Sequence, residues 1–203
     1  MSRKTIGIVD YDVGNHASVL RAFQSLNYRC RVSRDPELLS QSDVLVLPGV
    51  GAYPAAMRAL HAYGLVEFLR ERTSYGQPLI GLCLGMQLLA DKSLEHGATA
   101  GLGLIPGQVV PLESARLHIG WNAIEVVNDD KLLLPSDGES MYFNHSYVFE
   151  SPSEYQVYAA RLNFPFPVGV RRSNVVGLQF HPEKSQRAGL ILLKNLVEGL
   201  THA

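Results

Sequence analysis

Apolar and polar positions change their period along this chain. Residues 5–10 (Thr5-Ile6-Gly7-Ile8-Val9-Asp10) form an apolar run that stops at polar residues and a glycine, after which Ala17, Leu20, Ala22, Phe23 and Leu26 recur at helical spacing. This predicts strand, loop, helix. A similar unit follows: residues 30–33 are strand-like, 36–41 a short helix, and 43–47 a buried strand closed by Pro48-Gly49. Helical patterns over 55–62 and 65–73, punctuated by Gly64, lead through Gln77-Pro78 into a strand over 79–82. Strands alternating with helices imply right-handed crossovers and a mostly parallel sheet. From about residue 108 the runs shorten. Stretches 108–111, 123–127, 141–148, 156–160 and 168–171 are β-like and are expected, in part, to form an antiparallel appendage or sheet edge. Residues 175–180 are again a near-continuous apolar strand. Residues 184–200 then close the chain as an amphipathic helix carrying Leu190, Leu193, Leu196, Val197 and Leu200. The fold class is therefore α/β, a mostly parallel sheet flanked by helices with a smaller antiparallel edge.

Composition narrows the picture. With 203 residues and 46% apolar content, the whole chain 1–203 is expected to form a single domain. The longest apolar stretch, 79–90, is shorter than the roughly 18 residues a membrane-spanning helix needs. The polar start Ser2-Arg3-Lys4 is followed by no secretory core, so a cytoplasmic protein is expected. Eighteen basic and nineteen acidic side chains leave a formal charge of −1, which excludes a global field for nucleic acid or anionic membranes. The two cysteines, Cys30 and Cys83, are read as reduced thiols, which leaves one of them free to do chemistry.

Cys83 is the better placed. Gly81-Leu82-Cys83-Leu84-Gly85 sits where an apolar strand meets a predicted helix beginning Met86-Gln87-Leu88-Leu89, the pattern of a nucleophile elbow with sulfur in place of oxygen. A tight turn projects the side chain, glycines let backbone come close, and the helix N-terminus favours a thiolate. The amide of Leu84 would face an oxyanion formed on attack. Taken alone, the motif fits a buried structural cysteine equally well. His181-Pro182-Glu183 shifts the balance. An imidazole and a carboxylate two residues apart follow a buried strand, and Pro182 biases His181 away from helix, so both side chains are expected on one face. A thiolate, a histidine and an orienting carboxylate at strand ends of one parallel sheet make a nucleophilic triad. Leu47-Pro48-Gly49-Val50-Gly51-Ala52 follows another buried strand. Its glycines could free amides for an oxyanion or form a plain turn.

These segments resemble the class I, triad-type glutamine amidotransferases, and among them the glutaminase subunit of imidazole glycerol phosphate synthase. The resemblance runs nearly end to end: Asp10-Tyr11 with Gly14-Asn15, Ser33-Arg34-Asp35-Pro36, Pro48 to Gly51, Gly81 to Leu89, Gly120-Trp121-Asn122, Tyr142-Phe143 with His145-Ser146-Tyr147, and Gln179 to Ser185. It implies a flavodoxin-like domain that hydrolyses L-glutamine to glutamate and ammonia, without cofactor or metal. It also implies a heterodimer with a (β/α)8 barrel cyclase subunit that receives the ammonia and makes imidazole glycerol phosphate and an aminoimidazole carboxamide ribotide. Carried onto this chain, Cys83 attacks, His181 moves protons and Glu183 holds the ring. Gly49, Val50, Gly51 and Leu84 supply oxyanion amides, while Gln87, Glu95, Ser146 and Tyr147 hold the substrate's backbone groups. Asn15, Trp121 and Tyr142 match positions near the barrel interface, although Asn15 also reads as a helix cap and the two rings as core aromatics.

The chain departs from the family pattern at Asp12, where glycine is usual, and at His16, Leu117, Ile119 and Asn144. These lie in segments expected to face the partner. They keep open a second acceptor, an enzyme that builds amidino groups on surface-polysaccharide sugars. Another cysteine-triad hydrolase is a third reading. His118 and His145 lack paired ligands at zinc-like spacing, so no metal is implied, and His145 is expected to order the glutamine pocket by a polar contact.

Overall fold

The computed structural model describes residues 3–113, 115–128 and 130–201; of the predicted polar start, Ser2 lies outside them. In chain order the first half contains β1 (Thr5–Val9), α1 (His16–Ser25), β2 (Arg29–Ser33), α2 (Pro36–Ser40), β3 (Val44–Leu47), α3 (Tyr53–Ala62), α4 (Leu65–Ser74), β4 (Leu79–Leu82) and the single turn α5 (Leu84–Gln87). Every residue of β3, of β4 and of the later strand Val175–Leu178 is buried. That burial on both faces is why these strands read as continuous apolar runs rather than as alternations. The five parallel strands lie in the order β2, β1, β3, β4, Val175–Leu178. This is the flavodoxin-like order. Pro165–Arg172, Gln156–Arg161 and Glu125–Val126 then extend the sheet antiparallel to eight strands, as the change of pattern predicted.

Side chains alternate across the parallel strands into two cores. Ile6, Ile8, Val44, Val46, Ile80 and Leu82 pack with α1 and with the closing helix α6 (Gln186–Thr201). On the other face Val9, Leu45, Leu47 and Leu79 pack with α3 and α4. Among the described residues no helix is long and apolar enough to cross a membrane.

Four element boundaries differ from expectation. The run 141–148 is two strands: Ser140–His145 pairs with His118–Ala123, whereas Tyr147–Glu150 joins Gln108–Pro111, Lys92–Ser93 and Thr99–Ala100 in another sheet. The reason is a phase slip. Met141, Phe143 and His145 point inward two apart, but the next inward residue is Val148, three further on. The run 123–127 is divided at buried Ile124 between the ends of His118–Ala123 and Glu125–Val126. The helix expected from Met86 is only the four residues of α5, and the last helix starts at Gln186 because Pro182–Lys184 first form a 3₁₀ turn.

Candidate active site

In a parallel sheet the carboxyl ends of β1, β3, β4 and Val175–Leu178 share one edge, and the predicted motifs leave from it. Cys83 closes β4 with φ 55° and ψ −112°, a conformation that costs a non-glycine residue energy and persists only where its surroundings hold it. They do so by close approach. A Cβ built on Gly81 would lie 2.5 Å from the carbonyl oxygen of Gly85, and one on Gly85 would lie 1.8 Å from that of Leu47. The Cys83 amide donates to the Leu178 carbonyl at 2.8 Å, fixing the elbow to the neighbouring strand. One helical turn supplies little macrodipole, so the expected contribution of a helix N-terminus to the thiolate is small here.

The electrostatic partner is His181, only 4% exposed. Its Nδ1 bonds Glu183 Oε1 at 2.8 Å, and its ring is close enough to Cys83 to be influenced by it, so the sulfur, imidazole and carboxylate stand in series. Burial pushes His181 down, but the hydrogen bonds and charges of Cys83 and Glu183 outweigh it and bring its pKa to about 9. The ring is therefore cationic near neutrality and faces the sulfur whose reactive form is the thiolate. Because the folded pKa lies above the ordinary 6.5, the stability this adds is complete below pH 6.5 and is lost as pH rises through about 9. Melting temperature should fall across that interval, and fall less steeply in His181→Asn. Equal slopes in the two proteins would show that His181 is not the group responsible.

A cavity of about 280 Å³ opens beside Cys83 and His181 and is lined by Val50, Gly51, Leu84, Gln87, Glu95, Ser146 and Tyr147. Its size and its few convergent polar groups suit a free amino acid. Gly49 lies outside this lining; a Cβ there would come within 2.9 Å of the Gly85 amide and of the Leu84 Cβ. Glu95 is also the cap that Ala52 cannot provide, since its Oε2 accepts from the first amide of α3, that of Tyr53, at 2.9 Å. Gly51 takes φ 90°, whereas Val50 keeps a negative φ.

The chain matches the model of the class I glutamine amidotransferases over residues 7–198. It belongs to that family. It is therefore a glutamine-hydrolysing enzyme. It is similar to imidazole glycerol phosphate synthase subunit HisH of Streptococcus sanguinis, 43% identical over 196 residues that cover 94% of each chain. The similarity to the protein of the same name from Listeria monocytogenes is 43% over 197 residues and 95% of each chain. The fold resembles a crystal structure of a glutamine amidotransferase with TM-score 0.79 at 23% identity, covering 98% of this chain and 99% of that one.

Within this amidotransferase, the remaining predicted positions separate. Asn15 caps α1, its side chain accepting from the Ser18 amide at 3.3 Å. Trp121 is 51% exposed and meets the Tyr142 ring edge-on at 6.0 Å, so neither is a core aromatic in the sense of Phe143. Exposed Val50 and Leu117 line the cavity, while Ile119 and Trp121, also exposed, stand on the strand His118–Ala123 that follows Leu117. The family's glycine at Asp12 is explained by a φ of 64°, which aspartate tolerates better than most residues. Asp12 in turn bonds Arg34 and Tyr63, and the Arg34 hydrogen bond holds its carboxyl below the usual range. Leu117 and Asn144 line the cavity rather than only a partner-facing surface, and the Asn144 contact with the Cys83 sulfur, at 3.9 Å, is through its backbone carbonyl.

His145 makes the polar contact expected of it, and more. Its Nδ1 lies 2.8 Å from the Tyr147 carbonyl and its Nε2 3.0 Å from Nδ1 of His118, whose Nε2 is 3.3 Å from the amide nitrogen of Asn122. A carbonyl only accepts, so Nδ1 of His145 carries the proton, His118 donates to His145, and Asn122 donates to His118. Burial lowers both imidazoles, His145 to about 4, which keeps this chain of donors neutral and intact. The motifs did not reveal the His118 link. Its signal was a histidine at an inward position of the strand that pairs with His145.

Proposed function

We propose that this chain is the glutaminase subunit of imidazole glycerol phosphate synthase, with Cys83 as nucleophile, and that it delivers ammonia to a (β/α)8 cyclase subunit in the cytoplasm. The observation that carries this reading is the series Cys83, His181, Glu183 at the mouth of a cavity sized for an amino acid. Cys83 attacks the side-chain amide carbon of glutamine, and His181 protonates the departing ammonia, leaving a thioester. The same imidazole then takes a proton from water, which hydrolyses the thioester to glutamate. Glu183 holds the ring throughout. Leu84 and the Gly49-Val50-Gly51 segment offer amides to the oxyanion, while Gln87, Glu95, Ser146 and Tyr147 hold the amino-acid end of the substrate.

A partner follows from the product. Ammonia free in water at neutral pH is mostly ammonium, which is not a nucleophile, so it is useful only when passed on sheltered. Val50 and Leu117 at the cavity, with exposed Ile119 and Trp121 on the strand that follows Leu117 and Tyr142 against Trp121, offer apolar surface for that docking. Relatives named as HisH at 43% identity favour the histidine-pathway acceptor over the polysaccharide branch. Lyase chemistry would belong to the barrel, not to this chain.

The β-branched Val50 resists a positive φ, so an oxyanion amide at that position requires a peptide to turn when the liganded partner docks. Glutaminase activity of the isolated chain should therefore rise by about 10²-fold or more with the liganded cyclase, the typical worth of one oxyanion donor. Turnover measured with and without the barrel tests both points. If no cyclase barrel stimulates hydrolysis or consumes the ammonia, the histidine-pathway reading fails.

A further inference from the structure

The motifs attached no chemistry to Gln179, yet its side chain is fully buried behind the sulfur, in an otherwise apolar stretch. Its own backbone amide is already committed to the Val168 carbonyl at 2.9 Å, so the side chain answers to something else. Its Nε2 lies 3.9 Å from Cys83 Sγ, and its Oε1 accepts from Gln87 Nε2 at 3.0 Å. The second proton of Gln87 Nε2 goes to the Tyr147 carbonyl at 3.2 Å. This order of donors has one consistent direction. A thiolate can only accept, and in the thiol the one S–H goes to the Asn144 carbonyl at 3.9 Å, so in either form Gln179 turns its N–H toward the sulfur and its oxygen toward Gln87. Gln87 must then turn both N–H groups inward, which leaves its oxygen as the group it presents to the cavity it lines. An oxygen there accepts from an ammonium.

We propose that Gln179 is a positioning residue that couples nucleophile to substrate recognition: it donates to the Cys83 thiolate and fixes the Gln87 amide so that its oxygen receives the α-ammonium group of glutamine. This role presupposes the glutaminase reading above. The sulfur, as acceptor, holds the amide of Gln179 in one orientation, and that orientation fixes the next amide. A flipped Gln179 would set an oxygen against the thiolate and leave Gln87 free to present N–H groups, which an ammonium ion repels.

Gln179→Leu and the near-isosteric Gln179→Glu test this in the complex with the stimulating partner. Two quantities are read: kcat and KM for glutamine, and the pH dependence of Cys83 alkylation by iodoacetamide. The other titratable groups near the sulfur, namely His181 with Glu183, Tyr11, Glu95, His145 and Lys184, are unchanged in both variants. In Gln179→Leu, losing a donor to a charged group should move the alkylation midpoint up by about one pH unit and raise KM about tenfold. In Gln179→Glu a carboxylate facing the sulfur should move the midpoint at least as far. A residue that merely packs would lower melting temperature and leave midpoint and KM alone, and that result in either folded variant overturns the role. If Gln179→Leu does not fold, Gln179→Glu decides. Wild-type complex that hydrolyses no glutamine overturns the glutaminase reading and this role with it, whereas active wild type with indifferent variants overturns only the role.

Discussion

Cys83→Ala is expected to lower glutamine turnover by about 10⁴-fold or more, while binding to the proposed cyclase barrel and synthesis from added ammonium salt persist. The methyl group of alanine fits where the thiol was, so neither the elbow nor the surface around Trp121 should change. What is lost is the covalent step. No other side chain at the cavity is a comparable nucleophile: Ser146 has no base set against it as His181 is set against Cys83. Removing Glu183 should cost about one to two orders of magnitude less, because it acts through the imidazole rather than on the substrate. A double measurement separates the two proposed roles, with glutamine as nitrogen donor reporting Cys83 and ammonium salt reporting the proposed barrel. Glutamine-dependent turnover that survives Cys83→Ala would remove the nucleophile from the proposed mechanism altogether.

The parallel half of the fold was legible because its strands are buried on both faces, and continuous apolar runs such as Val44–Leu47 and Leu79–Leu82 leave little choice of element. The antiparallel half was legible only in kind. There, one β-like run 141–148 serves two sheets, and the division falls at Ser146, marked by nothing except a slip in the spacing of inward residues. For Cys83, His181 and Glu183 the sequence carried the positions, since each stands in a short motif at a strand end. It did not carry the network beneath them. Gln179 and His118 touch the site through residues 96 and 27 positions away, and such contacts have no period or spacing to betray them. Their only local trace is a polar residue where the pattern calls for an apolar one, which the burial rules mark as needing partners.

Gly85→Ala should be among the most destabilising single-methyl additions in the chain, costing about 4 kcal/mol or more. The added Cβ would lie 1.8 Å from the Leu47 carbonyl oxygen, and that atom is backbone in a fully buried central strand, with no rotamer through which to escape. Either β3 gives way or the turn after Cys83 does. Movement of β3 disturbs its pairing with both β1 and β4. Movement of the turn withdraws the Leu84 amide and Cys83 from their places, so the folded fraction should also be nearly inactive. For a chain of this size the melting temperature should fall by roughly 8–16 °C. Gly51→Ala makes a control of a different kind, because nothing lies within 4 Å of a Cβ there and only the φ of 90° opposes it. Its cost should be about 1–2 kcal/mol of backbone strain. If Gly85→Ala melts within a degree or two of wild type, the close packing of the elbow on β3 is not what holds Cys83 in its strained conformation.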